Sequence, residues 1–390
     1  MRFLHTSDWH LGRGFHGFSL RAEQEEMCDA VCSAVGEQGV DVVLIAGDVY
    51  DRALPPEWAV ELLEETLGRL VDAGAQVIIT AGNHDSAARL GFGRSLMRSS
   101  GVHIRSALED SWIPVELTDE NGPVLVYGVP YLEPQLHAAA LGCERAHHTG
   151  AARAVTQRIR DDRAQRAPEA QTIVMAHLFA ARGTASESER HIGAEAAAGE
   201  RLDHHEETVG GLSVVPLEVF DGFDYTALGH LHGRQALTDA VRYSGSPLRF
   251  SFSEAEQEKG AWVYDTVEGS MVPLDWAIGR PLKRLSGTIE EVLSPETLEK
   301  WSEAYVQVKL TDDQRPEQAF QRVQEAYPWL ASFSYAGAGQ VSGGTTYSQK
   351  LKQARTDTEV VAGFLEHVRS RGPDEPEQQL IAEALQEARA

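Results

Sequence analysis

Long hydrophobic runs are absent from this sequence. No stretch of about eighteen apolar residues occurs, so no membrane-spanning helix is expected. The N-terminus runs from Met1-Arg2-Phe3-Leu4 straight to Asp8, which leaves no room for the apolar core of a secretion signal. Cysteine is scarce: Cys28, Cys32 and Cys143. An odd count in a long chain fits a reducing, cytoplasmic setting. Cys28 and Cys32 share a helical face with Met27, Val31 and Val35, which reads as core packing. Positive charge is in deficit, with 35 basic against 59 acidic side chains and a net charge of −24. This argues against a chain that grips nucleic acid by global charge alone. It does not exclude a nucleic-acid enzyme, because divalent ions neutralise phosphate locally and a partner subunit can supply basic surface. No internal repeats are visible.

At 390 residues the chain is long enough for two or three domains. Short apolar runs alternate with helical patterns. Strands are expected over 2–6, 41–46, 76–80, 124–130, 172–176, 225–228 and 241–243. Helices are expected over about 20–38 and 57–73, and an amphipathic stretch spans 151–166. Strands alternating with helices predict a layered α/β domain. Residues 180–211 are polar and read as a long loop or insertion. After Trp276 the pattern becomes strand, helix, strand, helix, strand over 282–336, a small separate α+β unit. A polar tail with two short amphipathic helices follows.

Polar motifs stand at the ends of these strands. They are Asp8-x-His10, Asp48 with Asp51, Asn83-His84, His177 and His230-x-His232. Each motif alone has an ordinary structural reading; Gly-Asn-His-Asp, for instance, is a good turn sequence. Their recurrence at strand ends, where open α/β sheets bind ligands, points to one shared site. Carboxylate, amide and imidazole donors without thiolate suit manganese, iron or zinc. Asp48, after the buried run Val42-Val43-Leu44-Ile45-Ala46, is expected to bridge two ions. Such a pair, about 3.5–4 Å apart, activates water and stabilises both oxygens of an in-line displacement at phosphorus. If Asn83 binds metal, His84 is carried to the site without being a ligand, placed to protonate a leaving oxygen. Asp51 is expected to orient the His84 ring through its carboxylate.

In order and type these motifs resemble the calcineurin-like metallophosphoesterase superfamily. His5-Thr6-Ser7-Asp8-Trp9-His10-Leu11-Gly12, the motif around Asp48, and Ser244 to Glu254 resemble more narrowly the SbcD family of bacterial exonucleases, which act in double-strand-break repair. The resemblance covers essentially the whole chain. It implies a layered β-sandwich core flanked by helices (1–278), a small α+β capping domain (279–350) that contacts DNA, and C-terminal helices (351–390) that bind the ATPase partner. It implies manganese-dependent cleavage of DNA phosphodiester bonds within an ATP-dependent SbcCD complex in DNA repair and recombination, as a 3′–5′ double-strand exonuclease and a single-strand or hairpin endonuclease. By the same resemblance Asp8, His10, Asp48 and His232 hold one ion, Asp48, Asn83, His177 and His230 hold the other, and His84 is the catalytic histidine. The implied partner is an SbcC-like coiled-coil ATPase, joined to a homodimer of this chain in a heterotetramer. Asp51-Arg52 also resembles the Asp-Arg of protein phosphatases in the superfamily, where the arginine contacts substrate phosphate.

Other readings of the motifs are a small-substrate phosphoesterase or protein phosphatase, and a scaffold that has lost the chemistry. The complete donor set argues against the scaffold, and the extra unit and tail argue for the nuclease. Leu62, Leu63, Leu90, Phe92, Leu96 and Met97 mark helical faces for a twofold dimer or for the domain's own packing. In the tail, Thr356-x-x-Glu359 has the form of a capping box. Val360, Val361, Phe364, Leu365 and Val368 then share a face, as do Leu380, Ile381, Ala384, Leu385 and Ala388. Those faces are expected to dock on the ATPase.

Overall fold

The computed structural model describes residues 1–181, 184, 208–209, 212–336, 358, 360–362 and 372–387. These divide into two compact units, Met1–Lys283 and Arg284–Ala390.

The first unit is built on two six-stranded sheets. In chain order its strands are β1 (Arg2–Thr6), β2 (Val42–Ala46), β3 (Gln76–Thr80), β4 (Val102–Arg105), β5 (Val115–Asp119), β6 (Gly122–Val129), β7 (Gln171–His177), β8 (Tyr225–Gly229), β9 (Gln235–Ala236), β10 (Val241–Tyr243), β11 (Gly260–Asp265) and β12 (Ser270–Asp275). One sheet runs β12-β11-β1-β2-β3-β4 and the other β9-β10-β8-β7-β6-β5. β1 to β4 are mutually parallel, with Phe3 opposite Val42 and Val42 opposite Gln76. β6, β7, β8 and β10 are likewise parallel.

Alternate residues of a strand face opposite sides, and here both sides are covered. Val42, Leu44 and Ala46 of β2 pack with Val124 and Val126 of β6, Ile173 and Met175 of β7, and Tyr225 and Ala227 of β8. That contact is the sandwich core. On the outer side of the second sheet, Leu125, Tyr127 and Val129 of β6 join Ala151, Ala152, Val155 and Ile159 of a helix over His148–Arg166. A helix over Arg21–Gln38 buries Met27, Cys28, Val31 and Val35. It ends at Gly39, whose φ of 62° is left-handed and whose N–H reaches the Val35 carbonyl. Cys28 is thus a buried free thiol in a packed face.

Five strands escaped the sequence reading: β4, β5, β9, β11 and β12. β4 is only four residues long. β12 carries Pro273 and lies at the sheet edge, where a residue without an N–H is tolerated. Most of the 180–211 insertion lies outside the described residues. Its two stems are tied together, Val215 N–H donating to Phe179 O and Ala181 N–H to Val215 O.

The second unit has a three-stranded sheet, Leu282–Gly287, Tyr305–Leu310 and Leu330–Tyr335, the latter two parallel. Helices cover Ile289–Val292, Pro295–Trp301 and Ala319–Ala326. Two short helices thus stand where one was expected. Thr288 and Glu291 form a reciprocal capping box on the first. Leu285, Ile289, Val306, Val308, Val323 and Tyr327 make the core. Of the tail, Thr358 and 360–362 are helical, and Phe364, Leu365 and Val368 lie outside the described residues. The last helix, Glu375–Glu387, is capped by mutual bonds between Asp374 and Glu377, and Leu380 on it is exposed.

Candidate metal centre

The parallel strands bring their carboxyl ends to one edge of the sandwich. Asp8 and His10 follow β1, Asp48 follows β2, Asn83 and His84 follow β3, His177 ends β7, and His230 and His232 follow β8. Beyond the sheet the chain still pairs: Asp8 N–H bonds Gly47 O at 3.0 Å, His10 N–H bonds Asp48 O at 3.0 Å, and Leu11 N–H bonds Val49 O at 2.9 Å. This short ladder aligns Asp8 and His10 with Asp48.

The backbone is strained where these side chains leave it. Asp8 (φ 54°), His10 (45°), Asp48 (48°) and His230 (103°) are left-handed, a conformation that costs L-residues free energy and clusters at functional sites. The packing also demands glycine. A Cβ on Gly47 would sit 2.3 Å from His177 Nδ1, and one on Gly82 would sit 2.1 Å from Asp48 Oδ1.

The donor atoms converge closely. His177 Nε2 lies 3.3 Å from Asp48 Oδ2 and 3.1 Å from Asn83 Oδ1. His230 Nδ1 lies 3.1 Å from the same Asn83 oxygen. His10 Nε2 lies 3.2 Å from His232 Nε2 and 3.8 Å from Asp48 Oδ2. Asp8 accepts the His230 N–H at 3.1 Å through both carboxylate oxygens. Ligand atoms of Asp8, His10 and His232, of His10, Asp48 and His84, and of Asp8, Asp48 and His177 fall within 4.8 Å of one another in each group. One Asp48 oxygen thus faces His10 on one side and His177 on the other.

His84 presents Nε2 at 4.0 Å from Asp48 Oδ2, with no hydrogen-bond partner among the described residues. Its own N–H donates to Asp48 Oδ1 at 2.9 Å. The expectation for Asp51 is corrected here. His84 Nδ1 bonds the backbone carbonyl of Asp51, at 2.7 Å, and not its carboxylate. The Asp51 carboxylate instead sits 3.6 Å from the Arg13 guanidinium and 3.6 Å from His10 Nδ1. Those groups draw the side chain away, leaving the carbonyl facing the ring. Arg52 is exposed.

Several supporting residues went unread in the sequence. Asp85 accepts N–H groups of Val49, Tyr50 and Gly82 at 2.9–3.1 Å, tying the Asp48 loop to the Asn83 loop. Gln24 bridges His10 O and Gly12 N–H. Ser7 joins Asp8 to Ser244. Glu254 and Lys259 stand behind His232. Glu254 closes the Ser244–Glu254 segment that carries the family resemblance, but nothing in that segment assigns it to His232.

The charges show what the pocket is made for. His177 Nδ1 donates to Ala46 O at 2.8 Å, so in the neutral ring Nε2 holds a lone pair. That lone pair faces two oxygens that have only lone pairs to offer. The arrangement is repulsive unless a cation or a proton lies between. Without metal a proton serves: burial opposes it, yet the Asp48 carboxylate raises His177 to about 9. Burial would raise Asp48 too, but His177, His10 and His84 hold it well below the usual carboxylate range. Asp8 is pushed up to about 6 by burial and by the Asp48 charge. Burial and His177 lower His230 to about 3. A cluster of facing lone pairs with two imidazole nitrogens, His10 Nδ1 and His84 Nε2, lacking a hydrogen-bond partner among the described residues fits divalent cations.

Residues 1–234 match the calcineurin-like phosphoesterase family. Residues 279–369 match the SbcD C-terminal family, described as "Type 5 capsule protein repressor C-terminal domain". Among solved structures, TT1561 of Thermus thermophilus is 13% identical, covering 70% of this chain and 98% of its own, with a TM-score of 0.39. A dimetal phosphatase from Danio rerio is 12% identical, covering 62% and 86%, with a TM-score of 0.35. No helix among the described residues is long and apolar enough to cross a membrane. With residues 1–234 of 390 matched and a pocket suited to divalent metal, this chain belongs to the calcineurin-like phosphoesterase family of metal-dependent hydrolases.

Proposed function

We propose that this chain is the nuclease subunit of an SbcD-like complex and hydrolyses DNA phosphodiester bonds. One observation carries the reading: a calcineurin-like phosphoesterase match over 1–234 and an SbcD C-terminal match over 279–369 occur in one chain. Asp8, His10, Asp48 and His232 would hold one ion, and Asp48, Asn83, His177 and His230 the other, with manganese the metal best suited to the role. When bound, the pair supplies an activated water and neutralises charge at phosphorus.

The chain's own residues do the rest. Asp48 spans the two donor groups and anchors the His84 backbone at 2.9 Å, so His84 moves with the site. The Asp51 carbonyl can only accept, which keeps the His84 proton on Nδ1. Nε2 is then the atom that takes up a proton and gives it to the leaving oxygen. Phe250 lies edge-on to His10 and His232, at 5.3 and 5.5 Å, and keeps water from their flank. Arg13 stacks 4.8 Å over Phe250 and pairs with the Asp51 carboxylate at 3.6 Å.

In this reading residues 279–350 form a capping domain and 351–390 bind an SbcC-like coiled-coil ATPase, in the cytoplasm. A groove of about 490 Å³ between the Glu57–Asp72 helix and Phe92, lined by Val60, Leu63, Leu67 and Met97, suits a twofold homodimer. Phe92 and Leu96 beside it are 86% and 78% exposed.

The test is hydrolysis by the purified chain with manganese, comparing single-stranded DNA with p-nitrophenyl phosphate. The reading expects DNA to be cut far faster. Efficient hydrolysis of the monoester with no action on DNA would make the chain a phosphomonoesterase instead.

A further inference from the structure

Glu254 and Lys259 are a fully buried ion pair that the proposed chemistry does not use. Lys259 Nζ lies 2.7 Å from Glu254 Oε2, 2.8 Å from His232 O, 3.0 Å from Ser246 Oγ and 3.1 Å from Gln257 Oε1. Glu254 also accepts Ser251 Oγ–H at 2.9 Å and Phe250 N–H at 3.2 Å. Both carboxylate oxygens are engaged. Burying two charges is a costly way to hold a loop, since apolar residues of similar volume do so as well or better. The pair therefore calls for a role that apolar residues could not fill.

That role lies in what Glu254 faces. Its Oε1 is 3.5 Å from His232 Nδ1, the ring nitrogen that points away from the pocket. The other ring nitrogen, Nε2, faces His10 across 3.2 Å. Lys259 grips the same histidine from its backbone carbonyl. One carboxylate and one ammonium thus clamp ring and main chain together. His10 Nδ1 has the Asp51 carboxylate at 3.6 Å but no hydrogen bond to it, and two further rings are backed by main chain. His177 leans on the Ala46 carbonyl and His84 on the Asp51 carbonyl, both neutral acceptors. A carboxylate behind an imidazole fixes its tautomer and strengthens it as a donor.

We propose that Glu254, locked in place by Lys259, is a positioning residue for His232. It keeps the proton on Nδ1, presents the bare Nε2 to the pocket, and strengthens one metal subsite, that of Asp8, His10 and His232. The subsite of Asn83, His177 and His230 does not depend on it. This inference rests on the two-metal reading above.

Manganese titration of the full chain, followed by electron paramagnetic resonance, separates the two. Wild type should bind two ions. Glu254→Gln should weaken one of them by about 10–100-fold and leave the other unchanged. Lys259→Met, which frees the carboxylate, should do the same to a lesser degree. Equal weakening of both ions in Glu254→Gln, or no change in either, would overturn the assignment and leave the pair a loop fastener. A wild type that binds no manganese would bring down the two-metal reading itself, and this inference with it. If the variants fail to fold, ¹⁵N spectra of histidine-labelled, zinc-loaded wild type decide. His232 should carry its proton on Nδ1, and a proton on Nε2 would contradict the proposal.

Discussion

His177 and His232 face the same pocket, yet different things stand behind them. His177 ends β7 and donates to the carbonyl of Ala46 on β2, in the facing sheet. Its support is main chain, fixed by the packing of one sheet on the other. His232 lies in a loop and is held by three side chains: Glu254, Lys259 and, edge-on, Phe250. A ring held by backbone loses no hydrogen-bond partner when a single neighbouring side chain is truncated. A ring held by a carboxylate can be tuned, and can also be lost, one residue at a time. One side of the pocket is thus a product of the fold and the other a product of particular side chains, with Asp48 belonging to both.

The severest break in that comparison is at its shared member. Asp48→Ala removes the carboxylate that both sides use, and hydrolysis of single-stranded DNA should fall to background in a manganese-dependent assay. Measurable turnover would mean that either side works alone.

His84→Ala comes next. The ring lies within ligand distance of His10 and Asp48, yet the proposed reading gives it to neither ion, so both ions should stay bound. Turnover should fall by about 10²–10⁴-fold, the usual contribution of a general acid or base. Single-turnover kinetics alongside manganese binding check this, and loss of metal would make His84 a ligand.

Proton release sharpens the contrast between the two rings that share Asn83. His177, raised to about 9, carries a proton at neutral pH that a metal must displace, whereas His230, lowered to about 3, is already neutral. Manganese affinity should therefore climb with pH through the neutral range and level off above about 9. Calorimetry in buffers of different ionisation enthalpy should find roughly one proton released per chain at about pH 7.5. A flat affinity between neutral pH and the His177 value would count against a protonated His177.

Away from the pocket the effects are smaller. Truncation after Lys352 should leave manganese-dependent cleavage of single-stranded DNA intact while abolishing co-purification with an SbcC-like ATPase. Unchanged binding of that ATPase would remove the tail from the interface. Phe92→Asp should shift sedimentation from dimer toward monomer with little change in melting temperature, because Phe92 is 86% exposed and contributes little to the chain's own core. A monomeric wild type at micromolar concentration would contradict the dimer.

The same two-sided construction explains what could be read from the sequence. β1, β2, β3, β7 and β8 are largely buried on both faces, so each shows as a short apolar run, and each run ends on a polar motif. The seven donor candidates and His84 were legible for that reason. The backing of His177 is main chain, so no further side chain had to be found there. The supports of His232 have no spacing rule. Glu254 lies 22 residues from His232 and meets it only through the fold. Asp85 stands beside His84 in the sequence, yet its carboxylate serves the backbone of Val49 and Tyr50, 36 and 35 residues away. Asp51 failed in the opposite way: the residue was right, but its carbonyl does what its side chain was expected to do. A sequence pattern names residues, and cannot say whether main chain or side chain makes the contact.

Everything proposed for the pocket turns on Asp48 as the one carboxylate that unites two metal subsites. Equilibrium dialysis against manganese, with the metal counted by mass spectrometry, tests this directly on folded wild type and Asp48→Ala. Two ions per wild-type chain and none held tightly by the variant are expected. A variant that keeps two tightly bound ions, or a wild type that never holds more than one, would contradict the account.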